Sequence, residues 1–132
     1  MLLKPGKMKN ISKIGALFGL VLIFVLTACK NDNPSVIKVF VRDASNALVT
    51  GAKVVIIGDQ QSNPPTSSYV DTVVTNASGY SSFNMDEFYT ATGPDETTSY
   101  FDIVVKKDAK TAQGYIRSRV HTTAVETVYL PN

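Results

Sequence analysis

The chain holds no tryptophan, one cysteine and one histidine among its 132 residues. A single cysteine, Cys29, cannot close an internal disulfide. One cysteine and one histidine cannot supply the four ligands of a structural zinc site. Basic charge is scarce where it would matter. Four of the 13 basic side chains, Lys4, Lys7, Lys9 and Lys13, fall within the first 13 residues. From Cys29 onward nine basic side chains face all 11 acidic ones, a balance of −2. That balance argues against a nucleic-acid partner, which needs a basic face. The length suits one ordinary domain, and a hydrophobic content of 44% is that of a globular chain rather than a disordered one.

The apolar residues are unevenly spread. After the basic start, Ile14 to Leu26 forms an uninterrupted apolar run of 13 residues. A membrane-spanning helix needs about 20, so the run reads as the core of a secretory signal. Met8 would start an equally good signal, so initiation at Met1 or Met8 stays open. The run ends in Leu26-Thr27-Ala28-Cys29. This tetrapeptide resembles the lipobox of bacterial lipoproteins. The resemblance implies cleavage between Ala28 and Cys29 and acylation of Cys29, with the membrane as a partner through that lipid anchor. Small Thr27 and Ala28 suit a protease site, a thiolate is a good nucleophile for lipid transfer, and several acyl chains give stable anchoring.

Lys30-Asn31-Asp32-Asn33-Pro34-Ser35 is polar and contains a proline, as a short tether does. Lys30 is not the Asp that signals inner-membrane retention in such lipoproteins, so the expected location is the outer membrane, on its periplasmic face or at the cell surface. The expected organisation is a signal peptide over 1–28, a lipidated tether over 29–35 and one domain over 36–132.

From Val36 the pattern has period two, and no window of 11 residues carries a helical stripe. Seven strands are predicted: Val36–Arg42, Ala52–Gly58, Tyr69–Thr75, Tyr80–Met85, Ser99–Lys107, Tyr115–His121 and Ala124–Leu130. Breakers separate them at 43–46, 58–68, 76–79, 93–94 and 108–114, and Asp86 to Thr98 reads as a 13-residue loop. Short strands at this spacing predict a seven-stranded antiparallel β-sandwich. The absence of tryptophan and of a cysteine pair argues against a true immunoglobulin domain.

Three stretches carry a family resemblance: Val39-Phe40-Val41-Arg42-Asp43, Gly51-Ala52-Lys53-Val54 and Thr75-Asn76-Ala77-Ser78-Gly79-Tyr80. In order and spacing they resemble the carboxypeptidase regulatory-like, transthyretin-like sandwich over residues 36 to 130. The resemblance implies a Greek-key fold used mostly as an accessory module, and it fixes no reaction. Hydroxyisourate hydrolases share the fold but use several histidines and a Tyr-Arg-Gly-Ser ending. This chain has one histidine and ends Tyr129-Leu130-Pro131-Asn132, so that activity is not carried over.

Candidate chemistry is sparse. His121 could act as a base, with Ser118 and Glu126 as triad partners. Asp43, Ser45 and Asn46, or Asp86, Glu87, Asp95 and Glu96, could offer oxygens to calcium, although these residue types also favour turns. Asp71-Thr72-Val73 resembles an O-glycosylation tripeptide of some envelope proteins, and Asn76-Ala77-Ser78 matches the N-glycosylation sequon. More informative are Phe40, Val55, Ile57, Tyr100, Val104 and Tyr115, which alternate onto the second faces of their strands. An outer sheet face is normally polar, so these six form a candidate partner surface. Phe88 and Tyr89 lie in the long loop and form a candidate ligand loop for a glycan or peptide. The expectation is a non-catalytic interaction module with an envelope-protein partner, with no metal and no cofactor assigned. The alternatives are a carbohydrate- or peptide-binding surface lipoprotein and a small hydrolase around His121.

Overall fold

Ile37, Val39 and Val41 alternate with Val36, Lys38, Phe40 and Arg42, and the first three are fully buried. That alternation makes Val36–Arg42 strand β1. In the computed structural model, which describes residues 30–132, six further strands follow the same rule. They are β2 (Lys53–Gly58), β3 (Val70–Val74), β4 (Tyr80–Asn84), β5 (Thr98–Lys107), β6 (Lys110–Arg119) and β7 (Thr123–Tyr129). The expected signal peptide, the expected cleavage site after Ala28 and the expected acylation at Cys29 lie outside the described residues. Asn33–Asn132 forms one compact unit. Among the described residues no helix is long and apolar enough to cross a membrane.

The strands form two sheets, ordered β4-β1-β7 and β3-β2-β5-β6. The expected all-β sandwich of seven strands is present. One pairing differs from the antiparallel expectation: β1 and β7 run parallel, in register from Val36↔Thr123 to Arg42↔Tyr129. The other four pairings are antiparallel. Between the sheets lies a core that includes Ile37, Val39, Val54, Ile56, Phe83, Phe101, Ile103 and Val128.

Two segments depart from the sequence reading. Strand β6 begins at Lys110 rather than Tyr115, because the β5–β6 connection is a two-residue turn, Asp108-Ala109, with Asp108 at φ 53°. The polar Lys110 to Gly114 segment is paired residue by residue to β5. At Gly114 an added Cβ would stand 2.9 Å from Val128 Cγ2, so glycine allows β6 to approach β7. The expected loop from Asp86 contains helix α1, Asp86–Thr92, with Asp86 and Glu87 in its first turn. Acidic residues there favour the positive end of the helix dipole.

Polar side chains hold the corners. Asp43 Oδ1 accepts from Ser45 N, Ser45 Oγ and Ala47 N at 2.9, 2.6 and 3.0 Å. Thr75 Oγ1 accepts from Ala52 N at 2.9 Å and donates to Val49 O at 2.7 Å. Asn76 Oδ1 accepts from Ser78 N and Tyr80 N, and Gly79 closes that turn at φ 74° against Leu48. The three stretches singled out in the sequence are thus corners at the end of the sandwich where β1 finishes.

Among the described residues one buried side-chain polar atom, Ser81 Oγ, has no hydrogen-bond partner. Leaving such a group unpaired costs about 1–3 kcal/mol. Ser81→Ala is therefore expected to raise stability by about 1 kcal/mol, whereas Phe101→Ala should lower it by about 3–5 kcal/mol. Urea unfolding of the two variants checks both signs.

Candidate functional site

Each sheet has an outer face, and register assigns its rows. On the four-stranded sheet the first row is Val74, Lys53, Lys106 and Thr111. The second is Thr72, Val55, Val104 and Gln113, and the third is Val70, Ile57, Asp102 and Tyr115. Val70 is 65% exposed, Val74 54%, Tyr115 45% and Ile57 37%. Exposed apolar area therefore follows the β3 edge and the third row, with Lys53 and Lys106 in the first row and Asp102 two rows away.

Five of the six predicted surface residues, Val55, Ile57, Tyr100, Val104 and Tyr115, lie on this face. Phe40 does not. It sits on the outer face of the other sheet, packed on Tyr80 at 5.3 Å between ring centroids. One surface cannot contain Phe40 and Tyr100, because β1 and β5 belong to opposite layers. Alternation separates inside from outside but does not say which sheet a strand joins. The same alternation does place Val70 and Val74 outward, and the sequence reading missed them.

Phe88 and Tyr89 are corrected as ligand-loop residues. They are 5% and 6% exposed, since α1 turns both rings into the sandwich end. Phe88 packs on Tyr69 at 5.1 Å and on Phe101 at 5.5 Å. The Tyr89 hydroxyl bonds Ser118 Oγ at 3.0 Å, and burial raises its pKa above the ordinary phenol value. An open groove of about 480 Å³ is lined by Phe88 itself with Tyr69, Glu87 and Ala91 among others, and Tyr89 does not line it.

The candidate triad is not assembled. Ser118 is fully buried and paired with Tyr89. His121 lies in the turn after β6 at φ 59°, with Nδ1 on Asn33 O at 2.8 Å. Glu126 Oε1 accepts from Thr127 N at 3.0 Å. Among the calcium candidates, the carboxylates of Asp43, Asp86 and Glu96 serve the backbone or nearby hydroxyls. Asp43 caps its own turn, and those hydrogen bonds, led by Ser45 Oγ, lower its pKa. Asp86 Oδ1 accepts from Ser35 N, and the Glu96 carboxylate accepts from Ser67 N, Ser67 Oγ and Ser99 Oγ. Among the described residues no three of His, Cys, Asp and Glu converge as a metal site would need. Thr72 of the O-glycosylation tripeptide is exposed on β3, and Asn76 of the sequon is exposed in its turn.

Asp59 is a positioning residue that the sequence did not reveal. It accepts the Tyr115 hydroxyl at 2.8 Å and Gln61 N at 3.0 Å, while its carbonyl takes Ser62 Oγ and Thr66 N. Thr66 Oγ1 in turn accepts Tyr100 N at 2.8 Å. This network fixes the 59–69 loop, which holds a cis Asn63-Pro64 bond, against the face where Tyr100 and Tyr115 stack at 6.1 Å.

No protein-family model matches the chain, and no curated protein matches it.

Partial desolvation, with the hydrogen bond to Asp59, pushes the Tyr115 phenol up to about 12. A raised pKa means a stabilising contribution that is whole below the ordinary phenol value near 10 and is lost as pH rises toward about 12. Alkaline titration of phenolate absorbance should show late-titrating tyrosines, Tyr115 with the more buried Tyr69 and Tyr89, and Asp59→Asn should bring one of them earlier. A titration in which Asp59→Asn moves none of the late tyrosines would remove Asp59 as the partner.

Proposed function

We propose that this chain is a lipid-anchored lipoprotein of the outer membrane, carrying a transthyretin-like accessory domain that acts by binding and not by catalysis. The basic start, the 13-residue apolar run and Leu26-Thr27-Ala28-Cys29 support the anchor. The order of the three corner stretches supports the family resemblance. The observation that carries the binding role is the outer face of the four-stranded sheet. It exposes Val70, Val74, Ile57 and Tyr115 together, where a solvated face would alternate to polar residues. Exposed apolar side chains beside Lys53, Lys106 and Asp102 give this face the mixed composition of an interaction patch. An envelope protein is the partner class this reading favours.

In-cell crosslinking of the tagged full chain, read by mass spectrometry, tests the proposal. The native chain should fractionate with membranes, carry acyl mass on Cys29 and capture a defined envelope protein. Cys29→Ser should lose the acyl mass, leave the membrane fraction and lose the capture. Acyl-free, membrane-independent behaviour of the native chain would overturn the anchor. Capture of abundant membrane proteins alone would overturn the accessory role.

A further inference from the structure

Two features of the four-stranded face call for an occupant. Lys53 and Lys106 stand directly opposite one another on adjacent strands, an arrangement that costs stability. The ion pair formed among the described residues is Lys30–Asp32, so neither lysine is compensated by a carboxylate there. Two rows away, at the same lateral position on β5 as Lys106, stands Asp102, exposed and without an ion pair. Between them lies the row of Val55 and Val104.

We propose that this face pairs with the same face of a second copy of the chain, through a two-fold axis along the Val55–Val104 row. Such an axis, lying in the interface, reverses strand direction and exchanges the first and third rows. Lys106 of each copy then meets Asp102 of the other, Val74 meets Val70, and the valines of the central row meet themselves. The alternative axis, along the strands between β2 and β5, puts Lys106 on Lys53 and leaves Asp102 facing Ile57. Charge therefore selects one arrangement, and the lysine pair that is uncompensated in one copy gains a carboxylate in the dimer. An isologous contact of this kind closes at two copies.

Two of the four edge strands each have one free-edge donor already used. Asp71 and Val73 of β3 bond toward β2, in step with the flanking Gly58 N–Tyr69 O and Thr75 N–Ala52 O bonds, so Thr72 N is among the donors on the free edge, and Asp71 Oδ1 occupies it at 2.8 Å. On β7 Thr127 N, one of its free-edge donors, is likewise occupied by Glu126 Oε1 at 3.0 Å. Each occupied donor makes strand addition at that edge less favourable.

Four strands of about five residues make a face of about 19 by 17 Å. In projection that is on the order of 320 Å², well under the roughly 800 Å² per partner of a standard interface. The dimer is accordingly weak and concentration-dependent. It rests on the reading of this face as an interaction patch, names a second copy as an occupant that would compete there with another partner, and does not require the anchor.

The test uses the full-length chain, isotope-labelled and unlabelled copies mixed, with a zero-length carbodiimide coupler. Lys106 and Asp102 of one copy are about 13 Å apart along β5, too far to couple within it. A mixed-label peptide joining Lys106 to Asp102 is therefore expected, and only a second copy can produce it. Asp102→Lys and Lys106→Asp should each weaken dimerisation at least tenfold, and the double exchange should restore it. Thr127→Lys, on the opposite face, should leave it unchanged. Dimerisation indifferent to either reversal would overturn the proposal. So would a monomer at every concentration, or coupling of Lys106 only to carboxylates of other proteins. Loss of membrane attachment in Cys29→Ser with the mixed-label peptide retained would separate this dimer from the anchor.

Discussion

Ser35 ties three segments together at the start of the first strand. It is fully buried, its N–H donates to Asp86 Oδ1 at 2.8 Å, its carbonyl accepts from Met85 N at 2.8 Å, and its hydroxyl accepts from His121 N at 2.7 Å. The next residue donates from Val36 N to Thr122 O at 2.9 Å and opens the parallel pairing with β7. Both neighbours of β1 are thus fixed at its first residue. A strand has a side-chain period of two, so a slip of one residue would turn Ile37, Val39 and Val41 to solvent and Phe40 into the core. The core assignment, and with it the composition of this sheet's outer face, depends on that one buried serine and the three chain segments it joins.

What could be read from the residues follows from how local each signal is. The β1 alternation needs no tertiary information, and its limits in the structure match the sequence reading residue for residue. The start of β6 was hidden because Lys110, Thr111, Gln113 and Gly114 lack apolar alternation. They are held in the sheet by the tight Asp108 turn and by register with β5. Helix α1 was hidden because seven residues make less than the two turns that would display a stripe, and its N-cap, Met85, offers no side-chain hydrogen bond. Phe88 and Tyr89 are in the core because α1 folds over the sandwich end, a tertiary fact with no local signature. The separation of Phe40 from Tyr100 is of the same kind, since sheet membership is decided by pairings across the chain.

Many residues that look chemically capable are structural here. Asp43, Asn76 and Asp59 each spend carboxylate or amide oxygens on backbone N–H groups of their own turns, and Thr75 uses its hydroxyl twice to join two segments. Asp, Asn, Ser and Thr compete well for nearby backbone groups, so corners of a sandwich collect them whatever the protein does. Their presence in the sequence is therefore weak support for a metal or a reaction. The outer sheet faces are under no such local demand, and an unusual residue there needs an external reason.

The two outer faces meet that demand differently. On the three-stranded sheet Phe40 packs on Tyr80, and Lys38 Nζ stands 4.5 Å from the Tyr80 ring centroid. An aromatic pair capped by a cation covers part of its own apolar area and gives the lysine a partner. On the four-stranded sheet Tyr100 stacks on Tyr115, while the Val55–Val104 row has Thr72 and Gln113 at its ends and no aromatic cover within the row, and Lys53 faces Lys106. Aliphatic side chains cannot satisfy a cation, and flat valine rows cannot fold over themselves. The three-stranded face partly resolves its apolar content within one copy, while the four-stranded face leaves both its apolar rows and its charges to be resolved from outside. That contrast favours the four-stranded face over the three-stranded one as the proposed interaction surface.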